Sequence, residues 1–258
     1  MPVVFKNDKI ISSNDVTSTG VFKTKVNRDS LVFSVDAGDI DSYPGSGSTW
    51  YDLSGNGYNG TLYNGVSYNS ENGGVLVFNG SNGYMQANIS TTALDGDPNM
   101  TVEMFVKRTA SFSSAGFWGV GGAGQAYGLE GWTPITNRIY LDLYDSTRIN
   151  TGVDYPLNTY VHVAWVKHNA TIDTNTVICY INGVSYGSSS LTLDRTTTTN
   201  PRLNTSTSGV GISLGRISPN ADGYYAPINM GFFRVYSRAL NAFEIYENFQ
   251  ATRGRFGI

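Results

Sequence analysis

Charge is scarce in this chain. Asp, Glu, Lys and Arg make up 14% of its 258 residues and the formal net charge is −3. There is no basic footprint, so no nucleic-acid partner is expected. Cysteine is scarcer still, with Cys179 standing alone inside Val177-Ile178-Cys179-Tyr180-Ile181. A single cysteine forms no intrachain disulfide, and a thiol in an apolar strand reads as a buried structural residue, not a nucleophile. No apolar run approaches the ~18 residues of a membrane span. Met1 to Asp8 lacks the apolar core of a secretory signal. The expectation is a protein made in the cytoplasm without membrane insertion, which would leave by another route, such as release within a virus particle. The N-x-[ST] triplets, such as Asn88-Ile89-Ser90, are chance products of a chain rich in Asn, Ser and Thr.

What is abundant is glycine (30) and tyrosine (17), a composition that suits extracellular or virion-surface β proteins. Apolar and polar residues alternate at Thr101 to Lys107, where Val102, Met104 and Val106 form one face and Glu103, Phe105 and Lys107 the other. They alternate again at Arg138 to Tyr144, with Ile139, Leu141 and Leu143 inward and Tyr140, Asp142 and Tyr144 outward. Further strands are read at Leu31 to Val35, Tyr160 to Lys167, Thr176 to Ile181, Gly211 to Gly215 and Met230 to Tyr236. Asn-Gly pairs recur at 56–57, 59–60, 64–65, 72–73, 79–80, 82–83 and 182–183. Both residues accept φ > 0, so each pair predicts a hairpin turn. Many short strands between turns predict an all-β sandwich or barrel.

One helix is expected over 241–251. Asn241 caps it, Glu244 completes a capping box, and Leu240 with Ile245 forms a staple. Ile245 and Phe249 would face a sheet. Residues 1–28 are set apart as an N-terminal arm or an extra strand ahead of a domain at 29–258. Arg195 to Ser208 reads as a surface excursion. Gly119 to Gly124 lacks the lysine and the following helix of a phosphate loop, so it reads as a β connection.

Several stretches, in order, resemble a laminin-G-like, concanavalin-A-like domain. They are Leu31-Val32-Phe33 with Asp36, Trp50 to Leu62, Thr101-Val102-Glu103, Tyr160 to Ala164 with Tyr180 to Gly183, and Leu214-Gly215-Arg216 with Phe233 to Leu240. The resemblance covers about 31–250. It implies a two-sheet antiparallel jelly roll, a Ca²⁺ at the rim in many members, and a carbohydrate- or protein-binding role. The ending, Asn248 to Gly257, resembles laminin-G-like virion proteins of tailed phages. That implies a head-decoration, fibre or tail component, oligomeric in the particle, docked on other virion proteins through residues 1–28; the alternative is a freestanding carbohydrate-binding module.

Candidate sites follow. Trp50 to Leu62 holds Asp52 among Gly and Asn residues whose backbone can turn carbonyls inward. Asp52, Asn56 and, by the resemblance, Asn229 are candidate ligands for Ca²⁺. Where the family often has Asp-Glu, this chain has Asn229-Met230, which lowers the ligand charge. The alternative is a corner in which Asp52 accepts backbone N–H bonds. Tyr140, Asp142 and Tyr144, with Trp132 nearby, are candidates for stacking on a host-surface glycan, or are tyrosines paired across strands. Related glucanases carry two acids at alternate positions of one strand. Here those positions read Glu103, Phe105 and Lys107 and the five Glu (71, 103, 130, 244, 247) form no such pair, so no hydrolase activity is expected. His162 reads as structural and His168 as part of a turn.

Overall fold

The computed structural model describes residues 25–89, 94, 99–112, 114–121, 129–133, 137–143, 147–168, 174–195, 211–217 and 223–258. They build two antiparallel sheets face to face, with a helix on the outside of one. The eight-stranded sheet runs β14 (Val184–Tyr186), β13 (Val177–Ile181), β12 (Tyr160–Lys167), β7 (Met100–Arg108), β17 (Pro227–Tyr236), β5 (Val75–Asn79) and β4 (Ser67–Asn69), and β1 (Leu31–Asp36) also pairs with β17. The nine-stranded sheet runs β15 (Thr192–Arg195), β11 (Thr147–Asp154), β10 (Arg138–Leu143), β9 (Leu129–Thr133), β8 (Ala115–Val120), β16 (Gly211–Leu214), β6 (Tyr84–Asn88), β3 (Gly60–Tyr63) and β2 (Thr49–Trp50). This is the predicted jelly-roll sandwich. The strands that end the two sheet orders, β14, β4, β15 and β2, are two to four residues long, which limits the template they offer to other chains.

Alternation decides which side chains enter the core. Val102, Met104 and Val106 of β7, Val161, Val163 and Trp165 of β12, and Ile139 and Leu141 of β10 meet between the sheets, where Trp50 and Trp118 are also fully buried. The opposite face of β7 and β12 is buried too. Helix α1 (Ala242–Arg253) and a 3-10 turn (Gly254–Phe256) cover it. The expected capping box at Asn241 and Glu244 is present. Leu240 and Ile245 join one apolar cluster beneath the helix, and Phe249 and Phe256 another around Phe105. Cys179 is buried in the core, and burial raises its thiol pKa.

The Asn-Gly pairs divide into two kinds. Asn182-Gly183 joins β13 to β14 as a two-residue hairpin, with φ of 51° and 78°, and 72–73 lies within the longer β4–β5 hairpin. The hairpins predicted at 64–65, 79–80 and 82–83 are not formed. β3 and β6 belong to the nine-stranded sheet and β4 and β5 to the other, so these turns carry the chain across the sandwich. The two crossings are tied together. Asn79 accepts from the N–H groups of Ser81, Asn82 and Gly83 and donates to the Asn64 carbonyl at 3.2 Å.

Of the predicted arm, residues 1–24 lie outside the described residues, as does most of 195–208. Asn27 is anchored to the domain: its N–H donates to Asn248 Oδ1 at 2.7 Å and its amide to Glu244 at 3.0 Å. His162 is structural, as expected. It lies fully buried under α1, with Nε2 2.8 Å from Glu103 Oε1. His168 closes a turn through its backbone N–H to the Thr176 carbonyl.

Burial of Glu103 opposes its ionisation. His162, the Arg234 charge and Asn248 outweigh that and hold the carboxyl below its ordinary pKa. Glu71 is likewise lowered, against burial, by Lys107, Tyr160 and Asn229. Glu244 is lowered chiefly by Arg238. Carboxyls depressed in the folded state add stability above their unfolded pKa, and that stability is lost as pH falls through the folded values. Glu247, raised by burial and by Glu244, acts in the opposite sense. With three groups against one, the melting temperature is expected to fall below pH about 4.5. A melting series from pH 7 to about 2.5 tests this, and a flat profile would refute it.

Candidate functional site

The loop after β2 is built around one carboxylate. Asp52 Oδ1 accepts from the N–H groups of Ser34 (3.0 Å) and Ser54 (2.9 Å). Oδ2 accepts from Ser54 Oγ (2.7 Å) and the Tyr58 N–H (3.1 Å). The Asp52 N–H in turn donates to Asn59 Oδ1 at 3.0 Å. Asn56 uses its amide as a donor to the Leu31 and Val32 carbonyls. Asn229 is not part of this loop: it sits on β17 and donates to Glu71 at 2.7 Å. Ca²⁺ needs 6–8 oxygen ligands. Here N–H groups surround the carboxylate, Asn56 presents its NH₂, and the third expected ligand is elsewhere, so these residues do not fit the ion. Among the described residues no group of three His, Cys, Asp or Glu could hold a metal. The loop is the tied corner. Asp52→Ala removes the acceptor of four donors and is expected to cost about 1–3 kcal/mol, while a chelator leaves the wild-type melting temperature unchanged. A chelator-induced drop would restore the metal reading.

Of the predicted tyrosine row, the described side chain is that of Tyr140. Tyr140 points away from the inter-sheet core but is only 4% exposed, so its ring offers no free face. Tyr144 lies outside the described residues. Trp132 is in register with Gly116 on β9 and β8, and Asp142 stands directly opposite Glu130 across β10 and β9. Directly opposed residues have Cα atoms about 4.5–5.5 Å apart. This backbone register is invisible in the spacing of either strand alone. Glu103, the acid on the alternating strand, is fully buried beneath α1 and reaches no substrate.

A groove of about 200 Å³ lies instead at the other end of the nine-stranded sheet. Its floor is the outer face of β3 and β6, where Thr61 pairs with Gln86 and Tyr63 with Tyr84. Leu62 and Met85, the alternate residues, point into the core. One wall is Gly57, Tyr58 and Asn59, and Asn88 lies at the end of β6. The Asp52 corner therefore sets the position of this wall. Tyr63 is 40% exposed and stacks on Tyr84 with ring centroids 4.7 Å apart. Behind Tyr84 sits the Arg216 guanidinium, 3.7 Å from the ring centroid and 2.8 Å from Gln86 Oε1. Gly215 brings Arg216 there. Its φ is +78° and a Cβ would lie 2.3 Å from the Phe78 ring, so only glycine turns the chain at this point.

The sequence assigned no binding role to Tyr63, Tyr84, Gln86, Asn88 or Arg216. Tyr63, Tyr84, Gln86 and Asn88 alternate with the core residues Leu62, Met85 and Ala87, which marks them as outward; Arg216 lies past the end of β16 and carries no such signal. What was not legible is that β3 and β6, separated by two strands of the other sheet, lie side by side.

The fold has relatives of known structure. Trypanosoma rangeli sialidase in complex with sialic acid is 17% identical with a TM-score of 0.59, covering 93% of this chain and 36% of the sialidase. Botulinum neurotoxin type C, whose cell entry depends on interaction with two ganglioside molecules, is 14% identical with a TM-score of 0.61, over 87% and 52% of the chains. Domain 4 of AbnA, an extracellular GH43 arabinanase of Geobacillus stearothermophilus, in complex with arabinotriose, is 18% identical with a TM-score of 0.53, over 84% and 97%. The chain thus spans about a third of the sialidase and half of the neurotoxin chain, and at these identities the likeness is one of fold. No curated protein matches the sequence. A family model of laminin G type matches residues 79–246, 168 of the 258 residues, and the chain belongs to that family of the concanavalin A-like lectin/glucanases superfamily.

Proposed function

We propose that the protein is a non-enzymatic, lectin-like adhesion protein that contacts glycans through the groove on β3 and β6. The observation that carries this is the exposed Tyr63, held flat against Tyr84 beside the amides of Gln86, Asn59 and Asn88. Aromatic faces stack on sugar rings and convergent amides orient hydroxyls. Relatives in complex with saccharides support the reading at the level of fold. In the finer form of the proposal the protein is a surface component of a phage virion, oligomeric in the particle and docked on its neighbours through residues 1–28. The resemblance of residues 248–257 to phage virion proteins supports this, and recovery of the chain in purified particles tests it.

Binding to a glycan array is expected to weaken about tenfold or more in Tyr63→Ala, the loss of ~1.4 kcal/mol, with the fold unchanged by circular dichroism. Equal binding by wild type and Tyr63→Ala would remove the groove from the function. Turnover of any polysaccharide would instead overturn the non-enzymatic reading.

A further inference from the structure

We infer that the groove selects an uncharged saccharide and holds a single ring of it. This rests on the adhesive reading above. Six side chains form the surface, Tyr58, Asn59, Thr61, Tyr63, Gln86 and Asn88, with Gly57 beside them. None of them carries a charge at neutral pH.

Among the described residues, Asp52 and Arg216 are the charged groups tied to this platform, and both are committed to partners. The Asp52 carboxylate accepts four hydrogen bonds, one from the Ser34 N–H on β1 and three from Ser54 and Tyr58 of its own loop. Arg216 is 3% exposed, lies flat on Tyr84 and donates to Gln86. Its charge acts on the platform: it packs on the Tyr84 ring and uses the Gln86 carbonyl oxygen, while the Gln86 NH₂ donates to Asn88 Oδ1 at 3.4 Å, so the two amides are aligned side by side. A carboxylate on a sialic or uronic acid would have to be desolvated in the groove without a cationic partner, which is costly. A neutral ring loses nothing of this kind. It exchanges water for amide and hydroxyl partners and lays its C–H face on Tyr63.

Size limits the ligand in the same way. Sites that bury a drug-sized ligand measure about 300–1,000 Å³, and this one measures about 200 Å³. One ring is held, with the rest of the glycan in solvent.

The experiment is calorimetric titration of the full chain with a neutral oligosaccharide panel and with sialylated and uronic-acid counterparts of matched length. Neutral ligands are expected to bind at least tenfold tighter than acidic ones. Their affinity is expected to stay flat between about 0.05 and about 0.5 M salt, because no exposed ion pair is screened. Binding should be weakened in both Tyr63→Ala and Asn88→Ala. Tighter binding of the acidic ligands, or affinity that falls steeply with salt, overturns the inference and leaves the adhesive reading standing. No binding of any saccharide overturns both.

Discussion

Replacing Glu103 with Ala is expected to destabilise the protein by about 3–5 kcal/mol, because it strands an arginine, a histidine and an amide in the interior. Glu103 is in register with Arg234 across β7 and β17. Its Oε1 meets His162 Nε2 at 2.8 Å and its Oε2 accepts from Asn248 Nδ2 at 2.9 Å, with Arg234 NH1 at 3.6 Å. Glu103, His162 and Asn248 are fully buried, and Arg234 is 4% exposed. Asn248 extends the network, since its Oδ1 accepts from the Asn27 N–H and its Nδ2 also donates to the Tyr236 hydroxyl. One carboxylate therefore joins β7, β12, β17, α1 and the entering chain. Its removal leaves Arg234 without a counter-charge where water does not reach. Denaturant unfolding measures this as a lower midpoint at constant slope. Glu103→Gln keeps the shape but not the charge, and should retain much of the loss. A change below about 1 kcal/mol in Glu103→Ala would mean that the cluster is hydrated or that Arg234 swings to solvent.

Phe105→Ala is the second large loss, also about 3–5 kcal/mol. Phe105 follows Glu103 by two residues and points to the same side of β7. Its ring stacks on Phe256 at 4.2 Å, meets Phe232 edge-on at 5.6 Å and lies 5.3 Å from His162 and 6.3 Å from Phe249. No side chain could refill the space without moving α1 or the turn after it. Phe232 follows a bulge at Gly231, where a Cβ would come within 2.3 Å of the Phe256 ring, so the backbone itself lacks room to relax inward. Phe243 is the control. It lies on the same helix with its side chain 61% exposed, and Phe243→Ala is expected to change stability by no more than about 0.5 kcal/mol. Equal effects at the two positions would show that α1 is not seated as described. A Phe105→Ala protein that keeps its midpoint would show the same.

These two residues also show where sequence reading stops. The alternation of 101–107 put Val102, Met104 and Val106 on one face and Glu103, Phe105 and Lys107 on the other, and that division is correct. A two-period pattern conveys which residues share a face. It does not convey that a helix from the far end of the chain lands on the second face and buries an acid there. Tyr140 illustrates the same limit: it stands on the outward side of β10, as the pattern requires, yet is 4% exposed. The Asn-Gly pairs are a related case. The dipeptide sets a local reversal through positive φ at Asn64, Gly65 and Gly80, but the strands that leave such a turn can pair with each other or part into different sheets.

Local chemistry was sufficient for much of this protein. The strands, their inward faces, the capped helix at Asn241 and the structural nature of Cys179 all follow from periodicity, φ preference and side-chain type within a few residues. The family resemblance extended that to the jelly roll. Only the tertiary structure decided that the Asp52 corner is closed by N–H donors from Ser34, Ser54 and Tyr58. Only the tertiary structure set Glu130 opposite Asp142, and brought Tyr63 and Tyr84 together with Arg216 behind them. Each of those arrangements depends on which distant strands become neighbours. That choice is made by burying two whole sheet faces at once, and no single segment of the chain carries it.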